Sequence, residues 1–207
     1  MDRFLSPDNA VMQFINKIVS SVYLNLLWFI CCIPIVTIGA STTALFYVSL
    51  KIARNEEGGL TKAFFHSFRE NFKQSTIVWL ILAAVGLVLG VDAYFLYHMR
   101  FENVFWTLIT AVFIAAALAY AIVVMYIFPL MARFQNTTAA MFKNSLMIGM
   151  RFLLCTALMA LIYFAMAVIV INYFTPLIIF GEGLCALLCS FLLKNILQQC
   201  EPGDADE

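Results

Sequence analysis

From Asn103 to Ala132 the chain carries no charged side chain. The run is apolar on all sides and longer than the ~20 residues that cross a hydrocarbon core of ~30 Å. In lipid only helices and closed barrels satisfy every backbone N–H and C=O. Barrel strands alternate polar and apolar over about 10 residues. This run does not alternate, so a helix is expected. Similar runs recur along the chain, which is 64% hydrophobic and 12% charged. A soluble domain carries roughly 25% charge. The charges that remain gather between the runs. The expected fold class is therefore all-α, a polytopic helical membrane protein.

About six membrane segments are expected, near 18–36, 38–54, 75–97, 105–131, 152–173 and 175–194. The second is short or broken. It follows Pro34 and the polar stretch Thr37–Thr43, and its strictly apolar part, Ala44 to Ala53, covers only ~15 Å of helix. Residues 1–200 form one bundle, and 201–207 are an acidic, disordered tail. The first residues do not read as a cleavable signal, because Asp2, Arg3, Asp8 and Lys17 interrupt them. Phe4, Leu5, Val11, Met12, Phe14, Ile15 and Ile18 suggest an amphipathic lead-in along the membrane surface.

Lysine and arginine set the orientation. With six spans, Arg3, Lys17, Lys51, Arg54, Lys62, Arg69, Lys73, Arg133, Lys143, Arg151 and Lys194 share one side, and Arg100 alone lies opposite. Both termini are then cytoplasmic and the Thr37–Thr43 turn faces outward. A re-entrant second segment moves Arg3 and Lys17 outside and fits the rule less well. Trp79 is expected at the cytoplasmic boundary, Tyr94, Tyr97, Trp106 and Tyr173 at the outer one, and Trp28 between helices. Gly86 and Gly90 form a GxxxG, and Ala111, Ala115 and Ala119 a small-residue stripe. Both read first as packing inside one bundle, with a homo-oligomer contact as the alternative.

The loop at 60–74 has Leu60, Phe64, Phe68 and Phe72 every four residues, joined by Phe65, with Lys62, His66, Arg69, Glu70 and Lys73 among them. The spacing predicts an amphipathic cytoplasmic elbow helix with Thr61 as N-cap. Lying on the bilayer is the first reading. Docking a partner through Phe64, Phe65, Phe68, Arg69, Phe72 and Lys73 is the sharper one. A weak internal repeat relates Ala53-Arg54 and Thr61–Phe65 to Ala132-Arg133 and Thr138–Phe142.

Ionisable groups inside a membrane are functional candidates. Asp92 and Glu182 are both placed in the outer half, and Asn25, Thr37, Ser41, Thr42, Thr43 and Asn172 near the same level. Together they make a candidate outward-facing polar cavity for a cation, a proton or a polar solute. The bland reading pairs Asp92 with Arg100. Cys31, Cys32, Cys155, Cys185 and Cys189 lie in apolar runs and read as packing residues. No catalytic, metal or cofactor site is expected: His66 and His98 are far apart, and HExxH, GxSxG and GxxxxGK[ST] are absent. A net charge of zero leaves no nucleic-acid footprint.

Asn25-Leu26-Leu27-Trp28, followed by Ile33 to Leu45, resembles the signature of the YesL-like bacterial integral membrane proteins. Phe64-Phe65, Phe68, Asn71 to Gln74 and Trp79 extend the match. That family is classed as a domain of unknown function. Its genes lie beside carbohydrate ABC importers, glycoside hydrolases and sensor kinases. The resemblance implies a place in a bacterial cytoplasmic membrane and an accessory or regulatory role near carbohydrate uptake, with importer or kinase subunits as partners. It carries over no catalytic residue. The competing readings are a small solute permease using the polar cavity and a structural membrane protein; an enzyme is not expected.

Overall fold

A computed structural model describes residues 10–56, 58–98, 104–172 and 178–199. Phe4, Leu5, Arg100, Tyr173, the start of the expected sixth segment and the acidic tail lie outside them. The described residues form seven helices: α1 (Ala10–Cys32), α2 (Ile38–Ala53), α3 (Leu60–His98), α4 (Val104–Arg133), α5 (Thr138–Arg151), α6 (Leu153–Asn172) and α7 (Ile178–Gln199). A 3-10 turn at Ile35–Thr37 joins α1 to α2. Five segments are long and apolar enough to cross a membrane: Ile15–Cys32, Ile35–Ala53, Leu60–His98, Val104–Arg133 and Leu153–Asn172. The all-helical membrane fold read from the sequence is the fold observed.

The second of these segments stands at the centre. α2 is buried from Gly39 to Phe46, from Val48 to Leu50, and again at Ile52 and Ala53. It is packed by α1, α3, α4 and α7. Its composition makes this workable, since Gly, Ala, Ser and Thr let helix backbones approach closely where lipid offers no hydrophobic drive between helices. A Cβ on Gly39 would strike the Ser75 carbonyl oxygen and stand 2.7 Å from Trp79 Cβ. The stretch expected to loosen, Thr37–Thr43, is helical from Ile38 onward. The break falls earlier, at Ile33–Thr37, because Pro34 has no N–H to continue α1. The Thr37 hydroxyl closes the turn, its single hydrogen within reach of both the Cys31 and the Pro34 carbonyl.

At its other end α2 stops in a Schellman motif. Asn55 takes φ 59°. Its N–H donates to Ile52 O at 3.2 Å, and the Glu56 N–H to Lys51 O at 3.0 Å. Asparagine tolerates this left-handed position better than most side chains.

The elbow is not a separate helix on the bilayer. Residues 60–74 are the first turns of the 39-residue α3, because no Gly or Pro interrupts the chain between Leu60 and Val85. Phe64 is fully buried against the core and Phe68 partly so, while Phe65 and Phe72 stay exposed. Thr61 lies inside the helix rather than capping it; its hydroxyl meets Tyr23 Oη at 2.8 Å. The first capping carbonyl is that of Gly59, which accepts from Ala63 N–H.

The second elbow is built differently. α5 and α6 are parted at Phe152 (φ −113°, ψ 55°). Gln74 donates to Asn136 O at 2.6 Å and Gln135 to Glu70 Oε1 at 2.7 Å, so this elbow rests against the first half of α3. α7 runs antiparallel to α1: Gly183 meets Ser21 and Asn25, while Phe191 meets Lys17.

Candidate functional site

Several polar side chains near the bundle centre join helices, while the buried hydroxyls of Ser21, Ser49 and Ser190 have no hydrogen-bond partner. Asn25 is fully buried on α1, and its Oδ1 accepts from Gly183 N–H of α7 at 2.7 Å. Trp28 Nε1 donates to Thr42 Oγ1 at 3.1 Å, which seats Trp28 between α1 and α2 as expected. Thr43 Oγ1 donates to Gly39 O of its own helix at 2.9 Å. It also meets Ser75 Oγ of α3 at 2.9 Å. With the threonine hydrogen used on Gly39, Ser75 is the donor in that pair.

Glu182 lies where α7 meets α1, α2 and α6. Cys32, Tyr163 and Cys185 are close enough to interact with it electrostatically. Its glycine neighbours explain the Gly-Glu-Gly sequence. A Cβ on Gly181 would stand 2.8 Å from Met166 Sδ of α6, and one on Gly183 2.6 Å from Ser21 O of α1. The two glycines let α7 lie tightly between its neighbours, a role the sequence reading assigned only to the charge between them.

Asp92 belongs elsewhere. The tip of the α1–α2 hairpin meets α3 at Ser75 and Trp79, and Asp92 lies a further ~20 Å along that helix. It is exposed, in an open groove of about 560 Å³ between α3 and α4 walled by Leu89, Phe95, Trp106 and Phe113. Asn172 is exposed and donates to Val168 O of its own helix. Asn25, Thr42 and Thr43 are thus gathered at the core, with Ser41 fully buried among them on α2, Thr37 closes the hairpin, and Glu182 borders this group. Asp92 does not join them. The common depth expected for Asp92 and Glu182 counted α3 from Lys73, whereas α2 pairs with the half of α3 before Trp79; the same pairing sets the Thr37–Thr43 turn beside Trp79, so the expected outward turn and the expected cytoplasmic-boundary Trp79 do not both hold.

The elbow face is the other candidate. Phe64, Phe68 and Phe72 form a ladder with ring centroids 6.4 and 5.5 Å apart. Its inner end is fixed in the core and its outer end exposed. Phe65, Arg69, Phe72 and Lys73 face away from the bundle. His66 Nε2 lies 3.7 Å from Glu70 Oε2. Of the GxxxG pair, only Gly86 is packed, with Tyr120 Oη 2.6 Å from a notional Cβ; Gly90 meets nothing. Ala111 and Ala115 are exposed as well. Among the described residues no cluster of three His, Cys, Asp or Glu is arranged to hold a metal, and no disulfide joins the five described cysteines.

Residues 21–93, which comprise most of α1 and all of α2 with most of α3, match the family described as "Protein of unknown function, DUF624". The chain is 26% identical over 191 residues to the uncharacterized protein YesL of Bacillus subtilis, covering 90% of this chain and 89% of that protein. The chain is thus similar to YesL over most of both lengths. It is also 26% identical over 153 residues to the uncharacterized protein YteU of the same organism, covering 72% and 68% of the two chains. No solved structure matches. The family match covers the α2-centred core, so the YesL-like signature Asn25–Leu45 falls on the hairpin whose small and polar residues hold α1, α2, α3 and α7 together.

Proposed function

We propose that this YesL-like chain is a non-enzymatic accessory subunit of a membrane assembly for carbohydrate import or sensing, rather than a carrier in its own right. The observation that carries the reading is the use of Asn25, Thr42 and Thr43 in bonds between helices. A carrier needs strong polar groups left over for a solute, and here Asn25, Thr42 and Thr43 hold the bundle, leaving only isolated buried hydroxyls such as Ser21, Ser49 and Ser190. What is left for a partner is the outer face of the elbow, where Phe65, Arg69, Phe72 and Lys73 combine exposed aromatic surface with charge. The carbohydrate context rests on the family resemblance. In this reading both termini are cytoplasmic and the elbow faces an importer or kinase subunit in a bacterial cytoplasmic membrane.

Photo-crosslinking from Arg69 or Phe72 in native membranes tests it. Capture of an importer or kinase subunit is expected. Capture of no such subunit, together with solute flux in liposomes holding only this protein, would sink the proposal in favour of the permease.

A further inference from the structure

We infer that the open groove between α3 and α4 holds an amphiphile with an ammonium head, its charge set against Asp92 and its chain laid along the apolar trough that continues from there. Asp92 has no ion pair or hydrogen bond among the described residues. It stands on a helix apolar enough to cross a membrane, where an ionisable side chain is costly and ordinarily paired. Its neighbours in the groove include Phe95, Trp106 and Phe113. A carboxylate beside aromatic faces suits an organic ammonium, which gains ion pairing from the acid and cation–π attraction from the rings. A hard metal ion takes about six oxygen ligands or more, and no second acid is among the described lining residues. An anionic head is repelled by the same carboxylate.

The groove at Asp92, about 560 Å³, does not stand alone. Leu89 and Ala116 line both it and a second groove of about 780 Å³ that reaches Phe142 of α5. Val85, Leu89, Asp92 and Leu96 recur three or four apart on α3, so that helix gives the trough a single face. On α4 the small side chains of Ala116 and Ala119 leave the room between the helices. From Phe95 to Ile81 the trough runs ~21 Å along α3, longer than one leaflet of a ~30 Å hydrocarbon core. An acyl chain whose head lies at Asp92 is therefore housed along its length. No described residue of 83–98 or 104–119 is buried, so the trough is open from the side and a ligand enters directly from the bilayer. The carbonyl end of α3 and the amino end of α4 both lie beyond Asp92, and their dipoles oppose each other. The carboxylate charge then decides which head is taken. Aminophospholipids and soluble alkylammonium compounds share this chemistry.

Native mass spectrometry of the full chain in a nonionic detergent tests the site. The probes are phosphatidylethanolamine, phosphatidylglycerol with the same acyl chains, and decyltrimethylammonium. Tighter binding of phosphatidylethanolamine than of phosphatidylglycerol is expected of a lipid headgroup site. Tight binding of decyltrimethylammonium alone identifies a soluble ligand of the same chemistry. Asp92→Asn keeps the size of an exposed side chain and removes its charge, so about tenfold weaker binding of the ammonium probes is expected. Phosphatidylglycerol should bind that variant no more weakly than before. Ala116→Phe fills the trough where its two parts join, at an exposed position, and should weaken every probe. Arg100→Gln should leave binding unchanged; a gain there would mean that Arg100 already holds Asp92. Such a gain, equal binding of ammonium and anionic heads, or full binding in Asp92→Asn or Ala116→Phe overturns the proposal. A dimer that takes up no probe overturns it as well, since a second copy then fills the groove.

Discussion

Gly39→Ala tests the claim that α2 is the close-packed centre of the bundle. The new methyl would overlap Ser75 O and stand 2.7 Å from Trp79 Cβ. Ordinary contact begins near 3.4 Å, so α2 and α3 must separate by about 1 Å at this point. Ser75 is backbone there and cannot step aside as a flexible side chain does. Overpacking of this kind costs ~1–3 kcal/mol. The same displacement acts on the Thr43–Ser75 hydrogen bond, one turn along α2. It is 2.9 Å long, and lengthening it past 3.5 Å costs another ~0.5–1.5 kcal/mol. The higher helix propensity of alanine returns at most ~1 kcal/mol, so the net loss is about 1–3 kcal/mol. Gly90→Ala is the matched control, since nothing lies within 4 Å of its Cβ position. There the propensity term acts alone and stability should hold or rise by up to ~1 kcal/mol. Unfolding of both variants in mixed micelles with increasing SDS measures the difference. Equal stability of the two variants, or a larger loss at Gly90, refutes the packing argument.

Three further outcomes are expected. Asn25→Leu removes the α1–α7 bond that Asn25 Oδ1 accepts from Gly183 N–H, a loss of ~0.5–1.5 kcal/mol readable in the same SDS titration. Asn55→Val places a β-branched residue at φ 59° and should cost ~1–2 kcal/mol, whereas Asn55→Gly should be neutral or better. Cysteines placed at Lys17 and Phe191, which meet across α1 and α7, in a background without native cysteines should be joined by a short bifunctional maleimide if the two helices are antiparallel neighbours; absence of crosslinking with both residues labelled by a small maleimide argues against that pairing.

What was legible in the sequence follows from what is local. A helix crossing lipid is defined by its own length and apolarity, so five of the six expected spans were read residue by residue; the sixth, expected near 175–194, begins outside the described residues, and α7 is not among the five segments apolar enough to cross. The continuity of α3 was also local: Leu60 to Val85 holds no Gly or Pro, yet the charges of the elbow invited a separate surface helix. The position of Asp92 was not local. It depends on which half of α3 pairs with α2, and that register is set by Gly39 against Ser75 and Trp79, contacts more than thirty residues apart in the chain. Short hydroxyl side chains are equally ambiguous from sequence alone, because Thr43 serves a cavity or a helix contact with the same atoms. The turn at Asn55 had a usable signal, an asparagine followed by two acids and Gly58-Gly59. The near-burial of the Arg54 side chain at the end of α2 had none, since an arginine at a helix end is ordinarily solvated.

Two hydroxyl clasps, one beside each elbow, join the helices there, though not at positions that the weak sequence repeat would match, and each can be tested directly. In the first, Thr43 spends its hydrogen on Gly39 O and accepts from Ser75. In the second, Thr156 spends its hydrogen on Gly149 O at 2.8 Å and lies 2.9 Å from Tyr126 Oη, so Tyr126 is the donor. Each clasp links a helix entering its elbow to the helix leaving it, with the threonine on the entering helix in one and on the leaving helix in the other. The asymmetry of donor and acceptor predicts unequal costs. Ser75→Ala or Tyr126→Phe leaves only a spare lone pair on threonine, about 1 kcal/mol. Thr43→Val or Thr156→Val strands a buried O–H donor as well, at ~1–3 kcal/mol. Each double mutant should then lose less than the sum of its singles, by roughly 0.6 kcal/mol if these clasps behave like other polar contacts between membrane helices. A larger loss from Ser75→Ala than from Thr43→Val reverses the donor assignment. Strict additivity in both pairs denies that the clasps join the two helices at all.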